Sequence, residues 1–159
     1  MNRLNDEDIN WKFIHSIEEI LRKLKDEYLD IAFQNFMDGL NNNKKLIRES
    51  CVNLLTKASM KWNQVQLDYA FRCLMNRLND EDINWKFIHS IEEILRKLKD
   101  EYLDIAFQNL MEGLNNNKQR VRKACVDLLT AASMQWNKIQ LDTLFVRLTM
   151  KESKDRDEH

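Results

Sequence analysis

Trp11, His15, Glu18 and Arg22 stand four, three and four residues apart, and the same four residues recur as Trp85, His89, Glu92 and Arg96. On a helix these spacings put all four side chains along one side. Two chemistries could use them. His15 with Glu18 or Glu19 has an H-x-x-E spacing that could ligate a metal, but a metal centre needs several such residues converging in a protected interior. This pair lies on a polar face, and the chain has only 3 His. A partner-binding stripe fits better, because Trp beside Arg is the composition of an interface anchor. The plain alternative is that each Trp packs against a neighbouring element, the usual place for so large an apolar ring.

The remaining reactive groups point to no catalysis. Cys51, Cys73 and Cys125 are widely spaced, lie inside apolar helical patterns and have no His or acid partner along the same face, so they read as buried thiols of a reducing compartment. There is no Gly-rich phosphate loop. Trp62 and Trp136 fall in turns and read as packing residues. Arg22, Lys23 and Lys25, with Arg96, Lys97 and Lys99, could touch phosphate, but Lys and Arg also suit the end of a helix, where the dipole is negative. No cofactor and no metal are expected.

The elements that must position the stripe come from a repeat. Residues 1–35 and 75–109 are identical, an offset of 74, and most of 36–74 returns in 110–148. Substitutions begin at Phe36/Leu110 and include Lys45/Gln119, Leu46/Arg120, Glu49/Lys123 and Asn53/Asp127. A shorter period lies inside the longer one. Leu-Asp-x-[Ala/Leu]-Phe starts at Leu29, Leu67, Leu103 and Leu141, at spacings of 38, 36 and 38. Leu29, Phe33, Phe36 and Leu40 form one helical stripe, type A; Ile9, Phe13, Ile17, Ile20 and Leu24, or Ile47, Cys51, Leu54, Leu55 and Ala58, form a second, type B. The core stripe of the first B helix centres near Phe13 and Leu24, so truncating Phe13 or Phe87 should cost about 3–5 kcal/mol.

The fold class expected is all-α: an α-solenoid of antiparallel helix pairs with a period of about 37 residues, in a 74-residue tandem duplication. Seven main helices are expected, three of type B and four of type A. Residues 1–148 form one domain, with double repeats 1–74 and 75–148, and 149–159 form a charged tail.

The segments GLNNNKKLIRESCVNLLTKA and GLNNNKQRVRKACVDLLTAA resemble the turn and second helix of a HEAT repeat. Asn41 to Asn43 occupy the turn, and Ile47, Arg48 and Cys51 stand at the Val-Arg and small-residue positions, matched by Val121, Arg122, Ala124 and Cys125. Asn10 and Asn84 depart from the pattern where the Arg would stand, and the first-helix proline is absent. An armadillo-type solenoid is the alternative. The resemblance implies a concave groove lined by B helices, which would hold Trp11, His15, Glu18, Arg22 and their copies against a ligand.

Composition agrees with an all-helical chain: 43% hydrophobic and 32% charged residues, no Pro and only 2 Gly. A net charge of −1, from 25 basic and 26 acidic residues, argues against nucleic acid, and no apolar run is long enough for a membrane span. The function expected is a protein-interaction scaffold or adaptor that binds a protein, peptide or partner helix along its groove, in the cytoplasm or nucleus, without catalysis. The alternatives are a nucleic-acid-binding helical repeat and an engineered or shortened repeat array with no function of its own. Met1 to Leu4 read as the last turn of an A helix, which would leave Ile9, Phe13 and Ile17 uncovered and favour a homodimer through this end.

Overall fold

Asn63 shows how the repeat builds its joints. Its Oδ1 accepts from the Gln66 backbone N–H at 2.8 Å, and Gln66 Oε1 accepts from the Asn63 N–H at 3.0 Å, a capping box that satisfies two donors at a helix start. Gln66 Nε2 then donates to Asp30 Oδ1, 36 residues earlier, at 2.8 Å. Asn137, Gln140 and Asp104 repeat all three bonds, in the same order, at 2.8, 3.0 and 2.9 Å. One side chain thus starts a helix and ties it to the preceding element of the same type.

The computed structural model describes residues 6–80 and 84–157, with side chains at 12–80 and 84–150. Among these the helices are α1 (Asp6–Lys23), α2 (Asp26–Gly39), α3 (Lys45–Lys57), α4 (Gln64–Asn76), α5 (Trp85–Leu95), α6 (Asp100–Gly113), α7 (Gln119–Ala131) and α8 (Lys138–Asp157). Short 3-10 turns lie at Ser59–Lys61, Arg77–Asn79 and Ser133–Gln135, and no strand occurs among the described residues. Eight helices replace the expected seven, because a B helix precedes every A helix, giving four of each. The charged segment from 149 is not set apart: α8 runs through it to Asp157, since neither Pro nor Gly interrupts its strong helix formers.

The B helices pack in chain order, α1 on α3, α3 on α5 and α5 on α7; α2 packs on α3, α4 on α5 and α6, and α6 on α7. Both glycines serve this packing. A Cβ on Gly39 would lie 2.2 Å from Cys51 Sγ, and one on Gly113 would lie 2.3 Å from Cys125 Sγ, so each A helix approaches its B helix too closely for any side chain there. The turn between them is held by Asn42 Oδ1, which accepts from the Lys44 N–H, and by Arg48, whose Nη1 donates to the Asn42 carbonyl at 2.8 Å. Asn116 and Arg122 repeat both bonds. The Asn clusters therefore brace the residue before α3 and α7, while Asn84 caps the first turn of α5 directly.

Leu29, Phe33, Phe36 and Leu40 are all buried, as the type A stripe predicts. Trp62 and Trp136 are buried too; their Nε1–H groups donate to the Leu55 and Leu129 carbonyls, and their rings meet Phe33, Phe36 and Phe107 edge-on. The type B stripe of α1 differs from expectation. Phe13 is 64% exposed, and the buried residues are Ile14 and Leu21. The cause is α1's neighbourhood: it packs on α3, whereas the identical residues of α5 lie against α3, α4 and α7. Phe87 is correspondingly half-buried. Of the thiols only Cys125 is buried; Cys51 and Cys73 are half-buried.

Identical letters also take two backbone forms. Residues 6–10 are helical, whereas Asp80 is extended and α5 begins only at Trp85. Arg77 pins the second copy: it pairs with Asp80 at 2.9 Å and donates to the Leu40 carbonyl and Asn41 Oδ1, after which Asn84 starts the helix.

Candidate functional site

A cleft of about 750 Å³ opens along α3 and α5, floored by Ile14 of α1. Helix α3 lines it with Lys45, Arg48, Glu49, Ser50, Val52, Asn53, Thr56 and Lys57, and α5 with Trp85, Lys86, Phe87, His89, Ser90 and Glu93. Arg77, Asp80, Asn84, Met60 and Lys97 complete the rim. Residues 45, 49, 53 and 56 follow the helical period, so one polar face of α3 turns inward to the cleft.

Trp85 dominates this wall because it is 73% exposed while standing at the first position of α5. Lys86 Nζ lies 5.9 Å from its ring centroid, within cation–π range. The lining carries six basic side chains, Lys45, Arg48, Lys57, Arg77, Lys86 and Lys97, against three carboxylates, Glu49, Asp80 and Glu93. Several are tethered: Lys45 to Glu49 at 3.8 Å, Lys57 to Glu18 of α1 at 3.7 Å, and Arg77 to Asp80. His89 Nε2 lies 4.0 Å from Glu93 Oε1, which also pairs with Arg96 at 3.0 Å. A surface that is basic in a chain of net charge −1 concentrates positive potential where the exposed indole stands.

Of the sequence-predicted residues, Trp85 and His89 reach the cleft. Glu92 and Arg96 pair with each other beside it rather than in its lining. In the first copy the Trp11 side chain lies outside the described residues. His15 is exposed on α1, and Glu18 accepts ion pairs from Arg22 at 3.1 Å and from Lys57, so it joins α1 to α3. The duplicated letters do not build duplicated sites: α5 faces the polar wall of α3, and the corresponding wall positions on α7 read Gln119, Lys123, Asp127 and Ala131 in place of Lys45, Glu49, Asn53 and Lys57. Sequence reasoning missed the α3 wall because a polar stripe reads as a solvated face; its signal was the concentration of substitutions between the two copies at those positions.

Burial pushes the Cys51 thiol above its ordinary pKa. Among the described residues, no group of three or more His, Cys, Asp or Glu is placed to hold a metal ion, and no helix is long and apolar enough to cross a membrane. Neither a model of a known protein family nor a curated protein matches the chain.

Proposed function

We propose that this chain is a HEAT-like α-solenoid with a period of about 37 residues that acts as a protein-interaction scaffold, holding an acidic peptide segment or partner helix in the cleft between α3 and α5. The in-order packing of α1, α3, α5 and α7 supports the solenoid reading. So do long-range side-chain bonds such as Lys61 to the Arg22 carbonyl and Gln64 to the Lys97 carbonyl, which join residues 39 and 33 apart.

One observation carries the ligand class: an indole 73% exposed at the edge of a cleft with a twofold excess of cations over carboxylates. Such an indole offers a large rigid anchor for an apolar side chain, and the cations steer and orient flanking carboxylates. The chain as a whole is slightly acidic, which weighs against a phosphate backbone as the ligand. His89 and the Glu93 beside it set polar contacts at the cleft wall.

The test is a titration of fluorescein-labelled peptides in which Asp and Glu flank a Leu or Phe anchor, run beside a single-stranded oligonucleotide of equal charge. The peptides should bind, and Trp85→Ala should weaken them more than tenfold with an unchanged melting temperature. Oligonucleotide binding with a steep salt slope and no peptide binding would replace this reading with the nucleic-acid one.

A further inference from the structure

Helices α1 and α5 have the same sequence and different surroundings, and so do α8 and the related α4. Inside the chain α4 packs on α5 and α6. On α5, Ile91 and Ile94 are 0% exposed, and Leu98 just after it is 1% exposed. In the first copy the counterparts Ile17 and Leu24 are only half-buried and Ile20 is 58% exposed; Phe13 is 64% exposed where Phe87 is half-buried, and Tyr28 at the start of α2 is 51% exposed where Tyr102 is half-buried. On the covering side, α4 buries Leu67, Phe71 and Leu74 at 3, 0 and 0% exposure. Their counterparts on α8 are Leu141 at 40%, Phe145 at 70% and a half-buried Leu148. Each end of the molecule therefore displays one half of a junction that its own middle holds complete.

We propose that the apolar face of α1 and α2 binds α8 of a second copy of this chain, reproducing between molecules the contact that α4 makes with α5 and α6. The occupant follows from chemistry already present: the receiving face has the sequence of the α5–α6 face, identical up to Phe36/Leu110, and the incoming helix keeps Leu, Phe and Leu at the same three positions. Because the two surfaces differ, the contact is heterologous, and because it continues the internal order of packing, copies add head to tail into open arrays. This differs from a pairing of two N-terminal ends, which would bury one α1 face against another and leave Phe145 exposed. It does not depend on what the α3–α5 cleft binds.

One seam is weaker than its internal model. Gln64 Nε2 donates to the Lys97 carbonyl at 2.8 Å while its Oε1 accepts from the Lys99 N–H at 2.9 Å. Its counterpart on α8 is Lys138, which can donate to the Lys23 carbonyl and has no oxygen for the Lys25 N–H. The intermolecular joint is thus looser than the internal one, and Lys138→Gln should tighten it.

Sedimentation velocity over a concentration series tests this with Ile20→Glu, blocked at the receiving face, and Phe145→Glu, blocked at the inserting face. Both sites are exposed, so circular dichroism and melting temperature should match the parent chain. The parent's average mass should climb past that of a dimer as concentration rises. Each variant alone should stay monomeric, and an equimolar mixture should form a dimer of one copy each and stop there, because one joint remains intact. Lys138→Gln should shift the parent series to at least threefold lower concentration. A parent chain that stays monomeric throughout overturns the proposal. So does a Phe145→Glu variant that associates like the parent, the mark of N-terminal pairing, or a mixture that remains monomeric.

Discussion

Ile20 and Ile94 sit at the same place in identical 35-residue stretches, and they should respond to the same substitution in opposite ways. Ile94 is 0% exposed and lies among Ile91, Leu95 and Leu98, all closed to solvent. Removing three carbons there deletes apolar burial and leaves a cavity between helices that relax only partly, so Ile94→Ala should cost about 3–4 kcal/mol. For a chain of this length each kcal/mol lowers the melting temperature by about 2–4 °C, giving a drop of about 10 °C. Ile20 is 58% exposed, and Ile20→Ala should stay within about 0.5 kcal/mol of the parent. Urea unfolding at low protein concentration, where association through α1 is negligible, measures both on one scale. Equal losses would refute the reasoning, since they would mean that α1 and α5 have the same neighbours.

Gly113→Ala should cost about 1–3 kcal/mol from overpacking against Cys125 Sγ, and adding Cys125→Ala should recover at least about 1 kcal/mol of it, a non-additivity read from a double-mutant cycle. Trp136→Phe keeps most of the ring packing but removes the donor to the Leu129 carbonyl, for a loss of about 1–3 kcal/mol in the same assay. Phe13→Ala, at a 64% exposed site, should leave the melting temperature nearly unchanged. The raised pKa of Cys51 means that the folded chain holds the thiol proton more tightly than the unfolded chain does. Its contribution is therefore complete below the ordinary thiol value of 9.0 and is lost as pH rises above it; Cys51→Ala should flatten that alkaline part of the stability profile.

Helices and turns were legible because apolar stripes at helical spacing are bounded by Asn and Asp clusters, and the type A stripe from Leu29 to Leu40 is buried as its period implies. Which half of a wide apolar arc is covered was not legible. The arc of α1 and α5 carries two overlapping stripes, Phe13, Ile17, Ile20 and Leu24 on one side and Ile14, Ile17, Leu21 and Leu24 on the other. A helix flanked by several neighbours uses both, as α5 does, whereas α1 uses mainly the second. Periodicity records what a helix can bury and not which neighbours it has. The candidate site was half legible for a related reason. The Trp85 and His89 spacing identified one wall, but the facing wall on α3 is 40 residues earlier and becomes apparent only when helices of successive repeats lie side by side.

The most direct measurement of the binding proposal is a nitrogen-15 NMR titration of the chain with an acidic, apolar-anchored peptide, followed at the indole N–H signals of the 4 tryptophans. The Trp85 signal should move with the backbone signals of Lys45, Asn53, Lys57 and His89. Those of Trp62 and Trp136 should stay fixed, since their N–H groups are bonded inside the core. A saturable titration whose shifts map to α7 and α8, with the Trp85 signal unmoved, would contradict the proposal that this chain reads its partner through the α3–α5 cleft.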